Sequence, residues 1–194
     1  EKNLIIDKLI AWQDKTGHFG QKALDEGEFI NSHMWTILAL NNAGEEIPNL
    51  DKAKKWLLNA QNSDGGFAWY LGLPSDADDT AIAIQALIAL GEDPAQSISI
   101  KRALKYIKSL QEPNGGFASG WAASGANAST SSWVWQALIA TDEKYNGDSW
   151  AVDSKNVTDY LLGLQDASGY FYWMQSEKRP SVIDTAYALM ALSG

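Results

Sequence analysis

Three aspartates fall within four residues of one another in the stretch Pro74-Ser75-Asp76-Ala77-Asp78-Asp79-Thr80-Ala81. Carboxylates this close cannot all ionise cheaply, so their repulsion raises the affinity of one of them for a proton and makes an acid available. The segment leads into an apolar run that reads as a helix, and a helix N-terminus stabilises negative charge, which pulls the other way. A proton donor is one reading of the cluster. A solvated acidic loop, or a contact for a cation or ligand, is the other.

Aromatic side chains supply the second chemistry. Trp69 and Tyr70, Trp121, Trp133 and Trp135, and Tyr172 and Trp173 recur at related places along the chain and are expected to converge on one rim. An aromatic-lined concavity with a few polar groups is a ligand site, and its π faces stabilise carbocations or stack on flat molecules. Core packing is the competing reading, since tryptophan often buries its body in helical arrays.

Other sites are weaker. Asp142-Glu143-Lys144-Tyr145-Asn146-Gly147-Asp148 is oxygen-rich without a recognised calcium-loop spacing, so a turn is expected there. With no cysteine and two histidines, His18 and His33, the chain offers no thiolate metal site, and each histidine reads as a loop or packing residue. Neither a metal nor a cofactor is expected. No phosphate loop, nucleophile elbow or zinc-protease signature is present. A net charge of -9 and pI near 4.6 argue against a nucleic-acid partner. The longest apolar run, Ala81 to Leu90, is too short to span a membrane. The chain begins at Glu1, which suggests a mature or excised piece of a longer product.

The elements that must position these residues come from an internal repeat. Gln-x-x-x-Gly-x-Phe occurs at Gln13, Gln61, Gln111 and Gln165, with periods of 48, 50 and 54 residues. An amphipathic helix precedes the phrase: Ala53, Trp56, Leu57 and Ala60 oppose Lys52, Lys54, Lys55 and Asn59, and Val157, Tyr160, Leu161 and Leu164 repeat the pattern. After the phrase comes a helix apolar nearly all round, opening at Ser32, Asp79, Thr130 or Asp184, residue types that cap N–H groups, with Gly44 and Gly91 ending two of them. Four outer and four inner helices are expected, in an all-α array with repeats at about 1–46, 47–95, 96–148 and 149–194. Inner segments near 79–90, 130–140 and 184–192 should be buried. The glutamine, glycine and phenylalanine of each phrase read as a staple between repeats.

Four such phrases, each between an outer and an inner helix, resemble the repeats of the terpene cyclase and protein prenyltransferase superfamily, with phenylalanine where squalene-hopene-type cyclases more often carry tryptophan. The likeness spans the chain and implies an α/α toroid. Closed rings of that superfamily hold more helix pairs than the four found here. The ring is therefore open, or continued by further repeats, or completed by a partner or by self-association. Asp76-Ala77-Asp78-Asp79-Thr80-Ala81 is similar to the Asp-x-Asp-Asp-Thr-Ala signature of class II terpene cyclases. That similarity implies Asp78 as the donor of a proton to an alkene or epoxide, with Asp76 and Asp79 as its supports. Against an enzyme, those cyclases work between two helical domains, and the zinc site of protein prenyltransferases needs a cysteine. Because fold does not imply chemistry, the expectation is a non-catalytic module of a secreted or surface protein, binding a small molecule or protein in its concave rim, with a cytoplasmic location as the alternative. An isoprenoid cyclase-like enzyme is the second reading.

Overall fold

The computed structural model describes residues 2–20, 28–121, 125–144 and 146–193. Eight helices run in chain order: α1 (Lys2–Ala11), α2 (Ile30–Asn42), α3 (Leu50–Asn59), α4 (Ala77–Ala89), α5 (Ile98–Ser109), α6 (Ala128–Ala140), α7 (Val157–Leu162) and α8 (Val182–Leu192). A 3-10 turn at Asp148–Trp150 precedes α7. Odd-numbered helices are outer and even-numbered ones inner, as the repeat requires. One departure from the all-helical expectation is a small antiparallel hairpin, β1 (Phe171–Met174) with β2 (Glu177–Ser181), inside the last repeat.

Burial follows the apolar pattern of each helix. In α3 and α5 only a stripe is buried, Ala53 and Leu57 in one and Ile100, Ala103 and Ile107 in the other. By contrast, α4 buries Ala77, Asp79 to Ile84, Ala86 and Leu87, and α6 buries Ala128, Thr130 to Trp135, Ala137 and Leu138. Inner helices pack in the sequence α2, α4, α6, α8. The last one departs from expectation. Only Asp184, Ala188 and Ala191 of α8 are buried, while Val182, Ile183, Leu189 and Met190 are exposed, because α8 packs on α6 and the hairpin with one side alone.

Three of the four repeated phrases staple one repeat to the next, as their residue types suggest, while Gln165 of the last bonds Gly169 O in its own turn. Gln61 Nε2 donates to Gly65 O at 2.8 Å within its own turn and to Ser99 O at 2.9 Å in the next outer helix. Gln13 does the same to Gly17 O and Pro48 O, and Gln111 to Gly115 O and Trp150 O. The glycine is required twice over: Gly65 has φ +95°, and a Cβ there would stand 2.8 Å from Arg102 O. Backbone N–H groups of the four phenylalanines all find a side chain at the start of the following inner helix. Phe67 donates to Thr80 Oγ1, Phe117 to Ser131 Oγ, Phe171 to Thr185 Oγ1 and Phe19 to His33 Nδ1. His33 is thus the first repeat's version of a hydroxyl acceptor. With Nδ1 accepting, its Nε2 carries the hydrogen and donates to Ala53 O at 3.1 Å. His18 Nε2 faces Phe29 O at 2.9 Å, so both histidines are packing residues.

Helix ends correct one part of the capping assignment. Asp79, Thr130 and Asp184 are not the caps; each lies three residues inside, and its backbone N–H donates to the true cap, Asp76, Asn127 or Ser181. Ser32 likewise lies inside α2, and its Oγ donates to Phe19 O and Phe29 O. At the other end the glycines behave as expected: Gly44 and Gly91 take φ +74° and +83°, and the N–H groups of Glu45 and Glu92 reach back to Leu40 O and Leu87 O. In α6 the same left-handed place falls to Asp142, φ +57°. The acidic loop that follows is therefore a helix stop, with Glu143 Oε2 accepting from Trp150 Nε1; its Tyr145 lies outside the described residues. Among the described residues no group of three or more His, Asp or Glu is arranged to hold a metal ion.

Candidate active site at the start of helix α4

The acidic segment is held from four directions. Asp76 N donates to Phe67 O at 3.0 Å, Ala77 N to Ser119 O at 2.9 Å in the next repeat, and Tyr106 OH of α5 to Ser75 O at 2.6 Å. Asn62 and Asp64 bind the Ser75 hydroxyl. Such pinning fixes where the three carboxyls point before any ligand arrives.

The carboxyls then divide into different roles. Asp76 is 1% exposed; its Oδ1 caps α4 by accepting from Asp79 N at 2.8 Å, and its Oδ2 is buried without a hydrogen-bond partner among the described residues. Burial first, then the hydrogen bond to Asp76 and the charges of Asp76 and Asp78, push Asp79 well above the usual carboxylate range. Asp79 therefore holds a proton at neutral pH beside Asp76. Asp78 is half-buried and less perturbed: burial and the Asp76 charge raise it to about 6, opposed by a hydrogen bond from Thr130 Oγ1 at 3.2 Å. One buried pair keeps its proton. The neighbouring carboxyl exchanges its own near neutral pH.

The aromatic residues do not converge on a single rim as expected. Trp69 and Trp121 line one cleft, walling with Leu73, Pro74, Ser75 and Gly120 an apolar space of about 420 Å³ that borders the acidic segment at Ser75. Tyr70 turns to Phe29 and Trp69. Trp133 lies on the concave side with Trp35 of α2 and Tyr187 of α8, at ring distances of 5.2 and 5.1 Å, over a cavity of about 400 Å³ to which all four inner helices contribute. Trp135 is buried in the core, on the competing reading of these residues. Tyr172 borders a separate cavity with Gly163, Gln165 and Lys178, and Trp173 is on the hairpin. The cause is helical geometry: Trp133 and Trp135 are two residues apart on one helix and so face different directions.

The sequence reading missed two residues of the site. Thr130 was read as a cap and in fact bonds Asp78 across helices; Ser129 binds Asp184 Oδ1 at 2.5 Å. The repeat already sets Ser129 and Thr130 level with Asp78 and Asp79; only the packing of α6 between α4 and α8 brings their hydroxyls to the carboxylates.

Residues 1–132 and 131–194 match the model of the prenyltransferase alpha-alpha toroid domain. The chain belongs to that family. As a toroid it resembles drimenyl diphosphate synthase of Streptomyces showdoensis, 30% identical over 147 residues that cover 73% of this chain and 26% of that protein. It also resembles the probable squalene-hopene cyclase of Sinorhizobium fredii, 34% identical over 95 residues, 42% of this chain and 14% of the relative. In structure it matches Candida albicans protein geranylgeranyltransferase-I complexed with GGPP, with a TM-score of 0.73 at 20% identity over 100% of this chain and 60% of that one. This toroid spans about a quarter of the length of the first relative. These relatives are enzymes, which overturns the expectation of a non-catalytic surface module. The physical ground for that expectation, the missing second domain, was weak, because a helical array of four pairs can be part of a longer catalytic chain. No helix among the described residues is long and apolar enough to cross a membrane.

Proposed function

We propose that this toroid contributes the acid of a class II terpene cyclase-like reaction, protonating a double bond or epoxide of a polyprenyl substrate. The observation that carries the reading is Asp78, a half-buried carboxyl raised to about 6 beside a pair that retains its own proton. In the step, the O–H bond of Asp78 breaks, its proton forms a C–H bond with one alkene carbon, and the π electrons leave a cation on the other. A carboxylate remains on Asp78. Loss of a proton from the cyclised cation, or its capture by water, completes the balance. Asp76 supports the acid by its charge and by capping the helix, and Asp79 by keeping its own proton beside it. The cleft at Trp69 and Trp121 supplies apolar walls and π faces for the hydrocarbon.

The reaction needs no metal or cofactor for the protonation itself. Incubating the full-length protein with farnesyl diphosphate and, separately, squalene, then identifying hydrocarbon products by mass spectrometry, tests the proposal. Cyclised product that disappears in Asp78→Asn is expected. Absence of product from both substrates, or unchanged turnover in Asp78→Asn, would sink it.

A further inference from the structure

The cavity of about 400 Å³ at Trp35 and Trp133 takes no part in the protonation step. Its walls follow the repeat. Trp35, Trp133 and Tyr187 stand three residues after Ser32, Thr130 and Asp184, and Leu38, Gln85, Gln136 and Met190 stand six residues after Ser32, Asp79, Thr130 and Asp184. Steps of three follow one ridge of a helix, so the concave side carries acids and hydroxyls at the helix starts, an aromatic layer about one turn on and an amide-bearing layer beyond it. The cavity belongs to the far end. Asn41 and Asn42, Ile88 and Ala89, Ala140, and Met190 bring the last turns of α2, α4, α6 and α8 to its lining.

The lining decides the charge of what it can hold. None of its described residues is charged, so an anion would have no counter-ion there. A helix C-terminus carries partial negative charge and favours a cation, yet none of the four inner helices has a basic residue in its last turn. Acidic residues follow instead. Glu45, Glu92 and Glu143 take one equivalent place, their N–H groups reaching back to Leu40 O, Leu87 O and Leu138 O, and Glu46, Asp93 and Asp142 adjoin them. Glu92 meets Lys54 at 3.8 Å and Glu143 accepts from Trp150 Nε1, so both turn toward outer elements and shape the field of this end rather than its contacts.

Contacts come from the amides and the rings. Gln85 Nε2 donates to Ala81 O at 3.3 Å and Gln136 Nε2 to Ser132 O at 3.4 Å. With each amide nitrogen held on its own helix, the Oε1 acceptor is the end left for a ligand. Trp35 is 42% exposed and meets Trp133 edge-on, which leaves indole surface open at the mouth. Aromatic faces, carbonyl oxygens and helix C-termini all attract positive charge. We propose that this cavity binds an organic cation, an ammonium group carried on a small apolar body, through Trp35 and the carbonyls of Gln85 and Gln136. The site is separate from the acid at the start of α4 and does not depend on the cyclase reading. A diphosphate is excluded from it by the same field.

The probes are choline, its uncharged isostere tert-butylethanol and the anion tert-butylacetate, each titrated into the full chain while the indole N–H resonances of Trp35 and Trp133 are followed by NMR. Choline is expected to shift both saturably and to bind about 10-fold more tightly than the alcohol, and the anion should not bind. Trp35→Leu and Gln85→Leu should each remove most of choline's advantage over the alcohol; two separate substitutions keep the test open if one variant does not fold. Asp78→Asn should leave choline affinity unchanged. Equal binding of choline and the alcohol would reduce the site to an apolar hollow and overturn the proposal. So would the absence of a saturable choline shift up to about 10 mM, or full choline affinity in a folded Trp35→Leu or Gln85→Leu variant. Loss of choline binding in Asp78→Asn would move the cation to the acidic segment and sink the separate site. None of these readouts uses a polyprenyl substrate, so failure of the cyclase reading leaves them standing.

Discussion

At the scale of single residues, the acidic cluster shows how burial sorts identical side chains. Asp78 titrates near 6 in the folded chain against an ordinary value of 3.8, so between those values the native state binds protons that the unfolded chain has released. Stability contributed by this group is therefore present at low pH and falls as pH rises through about 4 to 6. Asp78→Asn should accordingly be more stable than the parent at pH 7.5, by about 1 kcal/mol after allowance for partial exposure, and show no gain at pH 3.5. Calorimetry at the two pH values checks this. Turnover should follow the same group, increasing as pH is lowered through about 6 because the acid must carry its proton. Asp79→Asn puts a neutral amide where the carboxyl already keeps its proton and should fold normally. Which of the three aspartates caps the helix was not legible from residue types alone, because all three can cap; the backbone of Asp76, extended at φ -136° and ψ 164°, decides it.

At the scale of elements, the repeated staple was legible because its residues recur at fixed offsets, and the structure adds what each bond is worth. Gln111→Ala strips donors from Gly115 O and Trp150 O at a packed junction between repeats. A loss of about 1–3 kcal/mol in chemical denaturation is expected. Gln165→Ala should cost much less, since Gln165 Nε2 reaches only the exposed turn at Gly169 O. Equal losses at the two positions would contradict the staple. The C-terminus of α6 gives a second case: Asp142 holds the left-handed conformation that Gly44 and Gly91 hold elsewhere, so Asp142→Gly should stabilise the protein by about 0.5 kcal/mol in the same assay.

For the whole molecule, the informative comparison is between the last repeat and the others. A Cβ on Gly17 or Gly65 would strike the backbone of the following outer helix, and one on Gly115 that of Asn156, the cap of α7, whereas Gly169 has nothing within 4 Å. Beside it, α8 exposes Val182, Ile183, Leu189 and Met190. A face of this kind favours association, as expected of a repeat array without a polar end. Sedimentation of the chain should show a coefficient that rises with concentration, and Ile183→Glu should suppress the rise. A strictly monomeric parent would refute this.

The period of the phrase, the two helix types it separates and the presence of an acidic excess at one repeat were determined by the sequence itself, since hydrophobic spacing and local turn chemistry are written in neighbouring residues. Tertiary structure decided the rest. That Asp79 keeps its proton, that Thr130 touches Asp78 from 52 residues away and that Trp69 shares a cleft with Trp121 while Trp133 meets Trp35 depend on which helix faces lie against one another. Proton affinity is set by desolvation and by charges brought close through packing, and neither exists until the helices have stacked.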